Sequence, residues 1–253
     1  MKADSQAYID KKAFFDKVLT IYGRKAVLEA LEDDTLEIYK LHLSSSNRSA
    51  EVLERMEALA KKRGVEVRYC SKEQLSRISK NAKQDQGVAL DIVLSDFYSL
   101  EAFLAQKEAY RILALDGVLN PQNLGMIIRS CTAGNIDAIL LPTKGAAQIT
   151  PLVIKASVGT LFKMPIIQTK SLYHSLNVLS KEGASLYALS SHASSDYREV
   201  NYPTKSVFVL GNESEGVSKE VMGLCSEAIA IPMQRGVESL NVAVTASLLA
   251  FLS

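Results

Sequence analysis

The spacing of apolar residues changes near position 110 of this 253-residue chain. Before that point, segments with apolar residues at helical spacing are followed by short segments such as 65–69, in which apolar and polar residues alternate. After it, short continuous apolar runs are separated by helical stretches. Alternation is typical of half-exposed strands, whereas continuous runs are typical of parallel strands covered on both faces. The pattern therefore predicts an α/β chain built from two different units.

The first unit is predicted to be a small α/β domain over residues 21–95. Residues 1–20 are predicted to form a helical lead-in, because Phe14, Phe15, Val18 and Leu19 have helical spacing. A connecting helix is expected at 97–106, within a linker over residues 96–109. Inside the domain, the predicted helices cover residues 24–31, 50–63 and 72–79, and the predicted strands cover residues 37–43, 65–69 and 87–94.

The second unit, residues 110–253, is predicted to contain a parallel sheet with helices on both faces. Its predicted strands are the apolar runs at 112–116, 138–142, 185–189, 206–210 and 228–231. Its predicted helices cover residues 125–133, 151–157, 172–181, 218–224 and 241–252.

Composition narrows the class of protein. A net charge of +1 argues against a protein held on nucleic acid mainly by bulk charge, although it permits a local basic face. Cys70, Cys131 and Cys225 lie far apart, which fits a reducing cytosol better than a disulfide scaffold. Because neither an apolar signal segment nor an apolar run of transmembrane length is visible, a cytoplasmic protein without membrane contact is expected.

Polar residues follow the strand predicted at 112–116. Asn123 stands at the predicted start of a helix, where its side chain would cap a free backbone N–H group. Arg129 lies six residues later, on a different face of that helix and among apolar residues. A charge in such surroundings needs an anionic partner. Arg129 is therefore predicted either to form a structural ion pair or to bind phosphate through its planar set of donors.

A turn containing Gly211, Glu213 and Gly216 follows the strand that ends at Leu210. Glycine at a strand end lets a ligand approach the backbone, although a tight turn without a ligand explains this spacing more simply. The turn lacks the Lys-Ser/Thr of a phosphate loop and the Gly-x-Gly-x-x-Gly of a dinucleotide fold. A nucleotide-dependent oxidoreductase or phosphotransferase is therefore disfavoured.

A third polar segment lies between the last predicted strand and the last predicted helix. Ile231 and Met233 end the strand, and Ser239, Leu240 and Asn241 begin the helix. Either Ser239 or Asn241 caps the helix, or both offer hydroxyl and amide groups beside the apolar Leu240.

In this order and spacing, the three segments resemble the signature motifs of the SpoU/TrmH class of the SPOUT methyltransferases. The likeness includes residues 155–159 and covers about residues 110–253. Residues 21–88 resemble, more loosely, the small RNA-recognition domain of the branch that methylates guanosine in 23S rRNA. One departure is Arg235, which stands where many relatives carry glycine.

The resemblance implies a SPOUT-type fold with a deep trefoil knot, and a homodimer whose active site lies near the two-fold interface. It implies methyl transfer from S-adenosylmethionine, as cofactor, to a ribose 2′-hydroxyl of RNA. Large-subunit 23S rRNA is favoured over tRNA, and a non-catalytic RNA-binding or ribosome-assembly factor with the same fold is the competing hypothesis. No metal is expected, since His42, His174 and His192 lack metal-ligand spacing.

The resemblance also assigns individual residues. The cofactor positions are backbone groups at Gly211, Ile231 and Leu240, with Leu210 and Met233 as apolar walls. The catalytic and substrate positions are Asn123, Arg129, Glu213, Ser239 and Asn241. Because a guanidinium does not readily lose a proton, Arg129 is expected to hold the ribose-phosphate. Glu213 is expected to orient Arg129 or Asn123 through a charge-assisted hydrogen bond.

Basic residues near loops of the first domain form a hypothetical RNA contact, although such charges are as often a solvated face. They are Arg48, Lys72, Arg77, Lys80 and Lys83.

Overall fold

The computed structural model describes residues 14–15, 18–34, 36–79, 85–93 and 97–252, which belong to two compact units that divide between residues 95 and 96. Most of the predicted helical lead-in, together with Lys80 and Lys83, lies outside the described residues. Within the lead-in, Val18 and Leu19 were predicted to be helical, and this is wrong. They begin a strand that pairs with residues 88–93. A short apolar run suits either structure, and the neighbouring strand decides between them.

The first unit is a four-stranded sheet with helices between its strands. Its elements are β1 (Val18–Tyr22), α1 (Arg24–Glu32), β2 (Glu37–Ser44), α2 (Glu51–Lys62), β3 (Glu66–Cys70), α3 (Lys72–Ser79) and β4 (Val88–Val93). The strand order is β1-β4-β2-β3, with β2 parallel to β3 and β4 antiparallel to both of its neighbours. Consequently β1, β2 and β3 all end at the edge of the sheet where β4 begins.

Hydrogen-bonded polar side chains connect three neighbouring strands of this sheet. The Asp91 carboxylate on β4 accepts a hydrogen bond from the Thr20 hydroxyl at 2.6 Å. Its other oxygen lies 2.7 Å from Nε2 of the buried His42 on β2. Because the Asp91 carboxylate has partners on both sides, β4 can carry it between two strands at little cost in desolvation.

The second unit contains an eight-stranded parallel sheet in the order β10-β12-β9-β11-β6-β7-β8-β5. Its strands are β5 (Phe97–Tyr98), β6 (Tyr110–Leu115), β7 (Ala138–Pro142), β8 (Ile166–Thr169), β9 (Ser185–Leu189), β10 (Ser195–Asp196), β11 (Lys205–Leu210) and β12 (Glu227–Ala230). Its helices are α4 (Leu100–Leu104), α5 (Pro121–Ala133), α6 (Pro151–Ser157), α7 (Leu172–Lys181), α8 (Lys219–Met222) and α9 (Val242–Ala250), with a 3₁₀ turn at Thr160–Lys163.

Helices cover this sheet on both faces. Alternate residues of β6, β7, β9 and β11 pack with α4, α7 and α8 into one apolar core. The other face carries α5, α6 and α9. Continuous apolar runs such as 138–141 are buried throughout because side chains on both sides of each strand meet helices.

The predicted connecting helix at 97–106 is shorter than expected. Phe97–Tyr98 forms β5, which pairs in parallel with β8. The helix begins only after Ser99, whose hydroxyl accepts the backbone N–H of Ala102 at 3.1 Å. A capping serine thus sets the start of α4, and the segment predicted as a linker contributes a strand and a helix to the second unit.

The last helix is fixed against α5 by close backbone contact. The Ser130 and Ser247 hydroxyls lie 2.7 Å apart between the two helices. The backbone N–H of Asn135 donates to the carbonyl oxygen of Ala250 at 2.6 Å. A methyl group placed on Gly134 would lie 2.3 Å from that same oxygen, so only glycine lets the end of α9 approach.

The substitution Gly134→Ala should therefore push α9 away from α5 and lower the free energy of unfolding by about 1–3 kcal/mol, as expected for overpacking. Urea unfolding followed by circular dichroism measures this. Gly223→Ala is the matched control, since its added methyl group would meet carbonyl oxygens at 3.5 and 3.6 Å, which are ordinary contacts. Equal stability of both variants would contradict the packing argument.

Candidate active site

The sheet of the second unit has a switch point between β6 and β11. From β6 the chain continues outward through β7 and β8, whereas β9, β11 and β12 lie on the other side. Loops that leave the carboxyl ends of strands around such a point diverge and create a crevice. Here a cavity of about 280 Å³ lies between the loops that follow β9, β11 and β12 and the start of α9.

All five residues assigned to the cofactor line this cavity, together with two of the assigned catalytic residues. The lining includes Leu210, Gly211, Glu213, Ile231, Met233, Ser239 and Leu240. Residues far apart in the sequence therefore converge on one crevice.

The turn after β11 is closed so tightly that Gly211 cannot carry a side chain. A methyl group placed on Gly211 would lie 2.0 Å from the carbonyl carbon of Gly216 and 2.1 Å from the backbone nitrogen of Val217. Asn212 and Gly216 exchange two backbone hydrogen bonds of 3.0 and 2.9 Å across the turn. The requirement for glycine is therefore steric, and it holds the backbone of this turn along the cavity.

Sequence reasoning missed two residues that fix the turn. The Asn212 amide donates to the carbonyl oxygen of Gly117 at 3.0 Å and accepts the backbone N–H of Ser214 at 2.8 Å. The Asp116 carboxylate accepts the backbone N–H of Ser218 at 2.8 Å. An asparagine and an aspartate at strand ends are the available signals, because their side chains readily bond nearby backbone groups. Together they join the loops after β6 and β11.

A chain of side-chain hydrogen bonds links the three polar segments. The Asn123 amide donates to a carboxylate oxygen of Glu213. The Asn123 oxygen accepts from the Asn241 amide at 3.2 Å. The Asn241 oxygen in turn accepts the backbone N–H of Ala243 at 2.9 Å and so caps α9. Of the two partners expected for Glu213, the structure provides Asn123.

The prediction that Asn123 caps its own helix is wrong. The cap of α5 is Asn120, whose side chain accepts the backbone N–H groups of Gln122 and Asn123 at 2.8 and 3.3 Å. Pro121 occupies the first helical position, where its missing N–H costs nothing. Asn123 is therefore buried in the first turn, and its side chain is free to join Glu213 to Asn241.

Arg129 does not line the cavity. It lies six residues after Asn123 on α5, about 9 Å along the helix axis, and its side chain is exposed. Within the described ranges it forms no ion pair or hydrogen bond. The described residues therefore provide no anionic partner for Arg129, and its exposed guanidinium carries five donors that suit a ligand.

Arg235, which stands where many relatives carry glycine, has a backbone conformation that favours glycine. Its φ is 57°, in the left-handed region that favours glycine, and Gly236 follows with a φ of 75°. The segment between β12 and α9 thus makes a turn that is mildly strained at Arg235. This turn connects Met233 to Ser239 on the cavity wall.

The character of the lining indicates the kind of ligand. Leu210, Ile231, Met233 and Leu240 supply apolar walls. Three carboxylates, Glu213, Glu215 and Glu238, lie on the lining, and no Lys or Arg is found there among the described residues. Such a cavity disfavours a phosphorylated nucleotide, whose negative charge the carboxylates would repel. It fits a ligand with a flat apolar part and a positive charge, which describes S-adenosylmethionine.

The part of the chain that the structure describes has the features of neither a metal site nor a membrane-spanning helix. No group of three or more His, Cys, Asp or Glu side chains there is arranged to hold a metal ion. None of its helices combines the length and apolar character needed to cross a membrane.

Known proteins are similar to this chain over most of its length. A Coxiella burnetii protein named 23S rRNA (guanosine-2'-O-)-methyltransferase RlmB is 31% identical over 90% of this chain and 92% of its own length. A Staphylococcus saprophyticus protein, assigned provisionally to the TrmH family of tRNA/rRNA methyltransferases, is 30% identical over 92% of this chain and 94% of its own length.

Solved structures share the fold. The SpoU methyltransferase AviRb from Streptomyces viridochromogenes, solved with S-adenosylmethionine, superposes with a TM-score of 0.73. The match is 19% identical and covers 95% of this chain and 90% of AviRb. The predicted α/β fold with a parallel sheet in the second unit is therefore confirmed.

Family models cover both units. Residues 20–98 match the model for RNA 2'-O ribose methyltransferase substrate binding, and residues 110–251 match the SpoU rRNA Methylase family. The resemblance predicted from the three polar segments is confirmed, as are the expected activity and the cofactor S-adenosylmethionine. The chain belongs to the SpoU rRNA methylase family, whose members are RNA 2′-O-ribose methyltransferases.

Proposed function

We propose that this enzyme methylates a ribose 2′-hydroxyl in 23S rRNA. The observation that carries the proposal is the cavity at the switch point, which has apolar walls, carboxylates and a hydrogen-bonded chain from Asn241 through Asn123 to Glu213. The name of the Coxiella burnetii relative supports 23S rRNA as the substrate. Methylation of tRNA is the second candidate, because the name of the Staphylococcus saprophyticus relative covers both RNA classes.

In this proposal the cofactor-binding residues act mainly through their backbone. Gly211, Ile231 and Leu240 present backbone groups to the adenosine part, and Leu210 and Met233 form apolar walls. The nearby carboxylates favour the positive charge of the sulfonium. When bound, S-adenosylmethionine supplies an electrophilic methyl group, so the chain's main task is to align the ribose oxygen with it.

Substrate alignment is assigned to the polar residues around the cavity mouth. Glu213 holds the Asn123 amide in one orientation, and Asn241 holds it from the other side. The Ser239 hydroxyl lies on the cavity wall, where it can contact the ribose. Arg129 presents its guanidinium to the ribose-phosphate from the exposed face of α5.

We propose that the enzyme is a homodimer. Exposed apolar side chains occur on or next to α5, α6 and α9, which form one helical layer; they are Leu119, Met126, Leu152, Val158, Val244 and Phe251. Several exposed apolar side chains on one helical layer are typical of a protein–protein interface. Arg129 lies one helical turn after Met126 on α5, so this face would bring the partner subunit close to the active site.

Three further expectations stay predictions. The second unit is predicted to contain a deep trefoil knot. Residues 21–95 are predicted to form the RNA-binding domain, and residues 110–253 are predicted to form the methyltransferase domain. A cytoplasmic location is supported by three free cysteines, of which burial raises the pKa of Cys131 to about 12 and that of Cys225 to about 11. Thiols with such pKa values stay protonated and unreactive near neutral pH.

The substitution Gly211→Ala should weaken binding of S-adenosylmethionine at least about tenfold, because the added methyl group would force the turn open. Isothermal titration calorimetry measures the affinity. Gly223→Ala should bind the cofactor like the wild type. Unchanged binding by Gly211→Ala would show that this turn does not form the cofactor site.

The substitution Arg129→Ala should lower methyl transfer at least about a hundredfold and leave the cofactor affinity within about threefold, because Arg129 lies outside the cavity. Transfer of tritiated methyl groups to total rRNA and to total tRNA, both isolated from a strain lacking this protein, measures the activity and identifies the RNA class. Lys181→Ala is the control, since this exposed cation ends α7 on the opposite edge of the sheet. Wild-type activity in Arg129→Ala would refute the role of Arg129. If the wild-type enzyme methylates tRNA and not rRNA, tRNA replaces 23S rRNA as the substrate.

The substitution Val244→Glu should convert the dimer to a monomer, because it places a charge in the proposed apolar interface. Sedimentation equilibrium measures the oligomeric state. Tyr173→Glu is the matched control, as Tyr173 is also an exposed apolar side chain but lies on α7, on the other face of the sheet. A Val244→Glu variant that stays dimeric would exclude this face as the interface.

A further inference from the structure

The first unit contains a cavity of about 780 Å³. It lies at the edge where β1, β2 and β3 end and β4 begins. Its lining consists of Arg24, Ser44, Ser46, Asn47, Arg48, Ser49, Ala50, Lys72, Asp85, Gln86 and Gly87. A cavity of this volume is large enough for a ligand of nucleotide size.

Three cationic side chains meet in this cavity. Arg48 and Lys72 are exposed and form no ion pair among the residues described. Arg24 is half-buried, and its guanidinium uses one N–H to reach the carbonyl oxygen of Gln86 at 3.3 Å, which leaves its other donors available. These cations come from the start of α1, the loop before α2 and the start of α3, so the fold collects positive charge from positions up to 48 apart in the sequence.

The one carboxylate on the lining does not neutralise this charge. Asp85 is buried, and its two oxygens accept the backbone N–H of Gly87 at 3.0 Å and the hydroxyl of Ser79 at 3.1 Å. It therefore stabilises the loop before β4 and makes no ion pair with Arg24, Arg48 or Lys72. The cavity keeps a net positive field.

The rest of the wall is polar and firmly held. The Asn47 amide donates to the carbonyl oxygen of Gly87 at 2.8 Å, and the Ser44 and Ser46 hydroxyls lie 2.8 Å apart. Gln86 has a φ of 52°, and its side chain accepts the backbone N–H of Arg24 at 2.9 Å. Hydroxyl, amide and guanidinium donors on a fixed wall suit phosphate and sugar oxygens.

The lining contains no aromatic side chain among the described residues. Recognition of unstacked RNA bases depends largely on aromatic platforms, whereas contacts to phosphate and sugar need only cations and polar donors. The cavity is therefore suited to the RNA backbone and not to reading bases.

We propose that this cavity binds the sugar-phosphate backbone of the substrate RNA through Arg24, Arg48 and Lys72, without regard to base sequence. This inference rests on the proposed function, because it takes RNA as the substrate. It assigns the positioning of the RNA to the surface of this cavity. Base specificity must then come from elsewhere in the enzyme.

The test is filter binding of unmodified 23S rRNA transcript over a range of KCl concentrations. The double variant Arg48→Ala/Lys72→Ala should bind at least about tenfold more weakly, and the slope of log affinity against log salt should fall by about two. Lys62→Ala is the control, because this exposed cation ends α2 at the opposite edge of the sheet. In methyl transfer, the double variant should raise the KM for RNA and keep kcat.

Binding of poly(U) and poly(A) of equal length distinguishes backbone contact from base reading. The double variant should lose the same factor for both, and a loss confined to one polymer would overturn the proposal. Millimolar inorganic phosphate should compete only weakly with the transcript, since the cavity holds an extended chain. Complete competition would assign the cavity to free phosphate.

The outcomes separate this proposal from the proposed function. If the wild type binds 23S rRNA without methylating it, the proposed function is wrong. The binding affinities of Arg48→Ala/Lys72→Ala and Lys62→Ala still test whether the cavity binds RNA. If the wild type methylates 23S rRNA and the double variant binds it as tightly as Lys62→Ala does, the cavity proposal fails alone. Total tRNA serves as a parallel probe, and a wild type that binds neither RNA overturns the proposal.

Discussion

The arrangement of the site depends on the Asn123 amide. Its donor side is held by Glu213 in the turn after β11, and its acceptor side is held by Asn241 at the start of α9. Because a primary amide has distinct donor and acceptor ends, these two partners fix its orientation, which a hydroxyl or a carboxylate at the same position would not do. One buried side chain thus joins the start of α5, the turn after β11 and the start of α9, which lie far apart in the sequence.

The sequence predicted the parts of the fold that local pattern controls. The bounds of β9, α6 and α7 match the prediction, because polar residues, glycine or proline end each of these apolar segments. β1, β5, β8 and β10 were missed. The apolar run of β1 suits either a helix or a strand, and pairing with β4 makes it a strand. β5, β8 and β10 have only two to four residues, and pairing with neighbouring strands defines them.

The sequence identified most residues of the candidate site, but it did not show which hydrogen bonds connect them. Glycine and polar residues after apolar runs identified Gly211, Glu213 and Asn241. The role of Asn120 was missed although Asn120-Pro121 is a known start signal, because Asn123 was nearer to the apolar stripe. The exposure of the Arg129 side chain was not predictable, since an apolar neighbourhood in sequence does not say which face of a helix reaches solvent.

The position of α9 has a consequence for the order in which the molecule forms. Its anchors are remote: Ser247 meets Ser130, and the carbonyl oxygen of Leu252 accepts from the Arg111 guanidinium at 2.6 Å, across 141 positions of sequence. Such non-local contacts form late and slowly. The wall of the crevice that Leu240 and Val242 provide is therefore in place only once α9 has packed against α5.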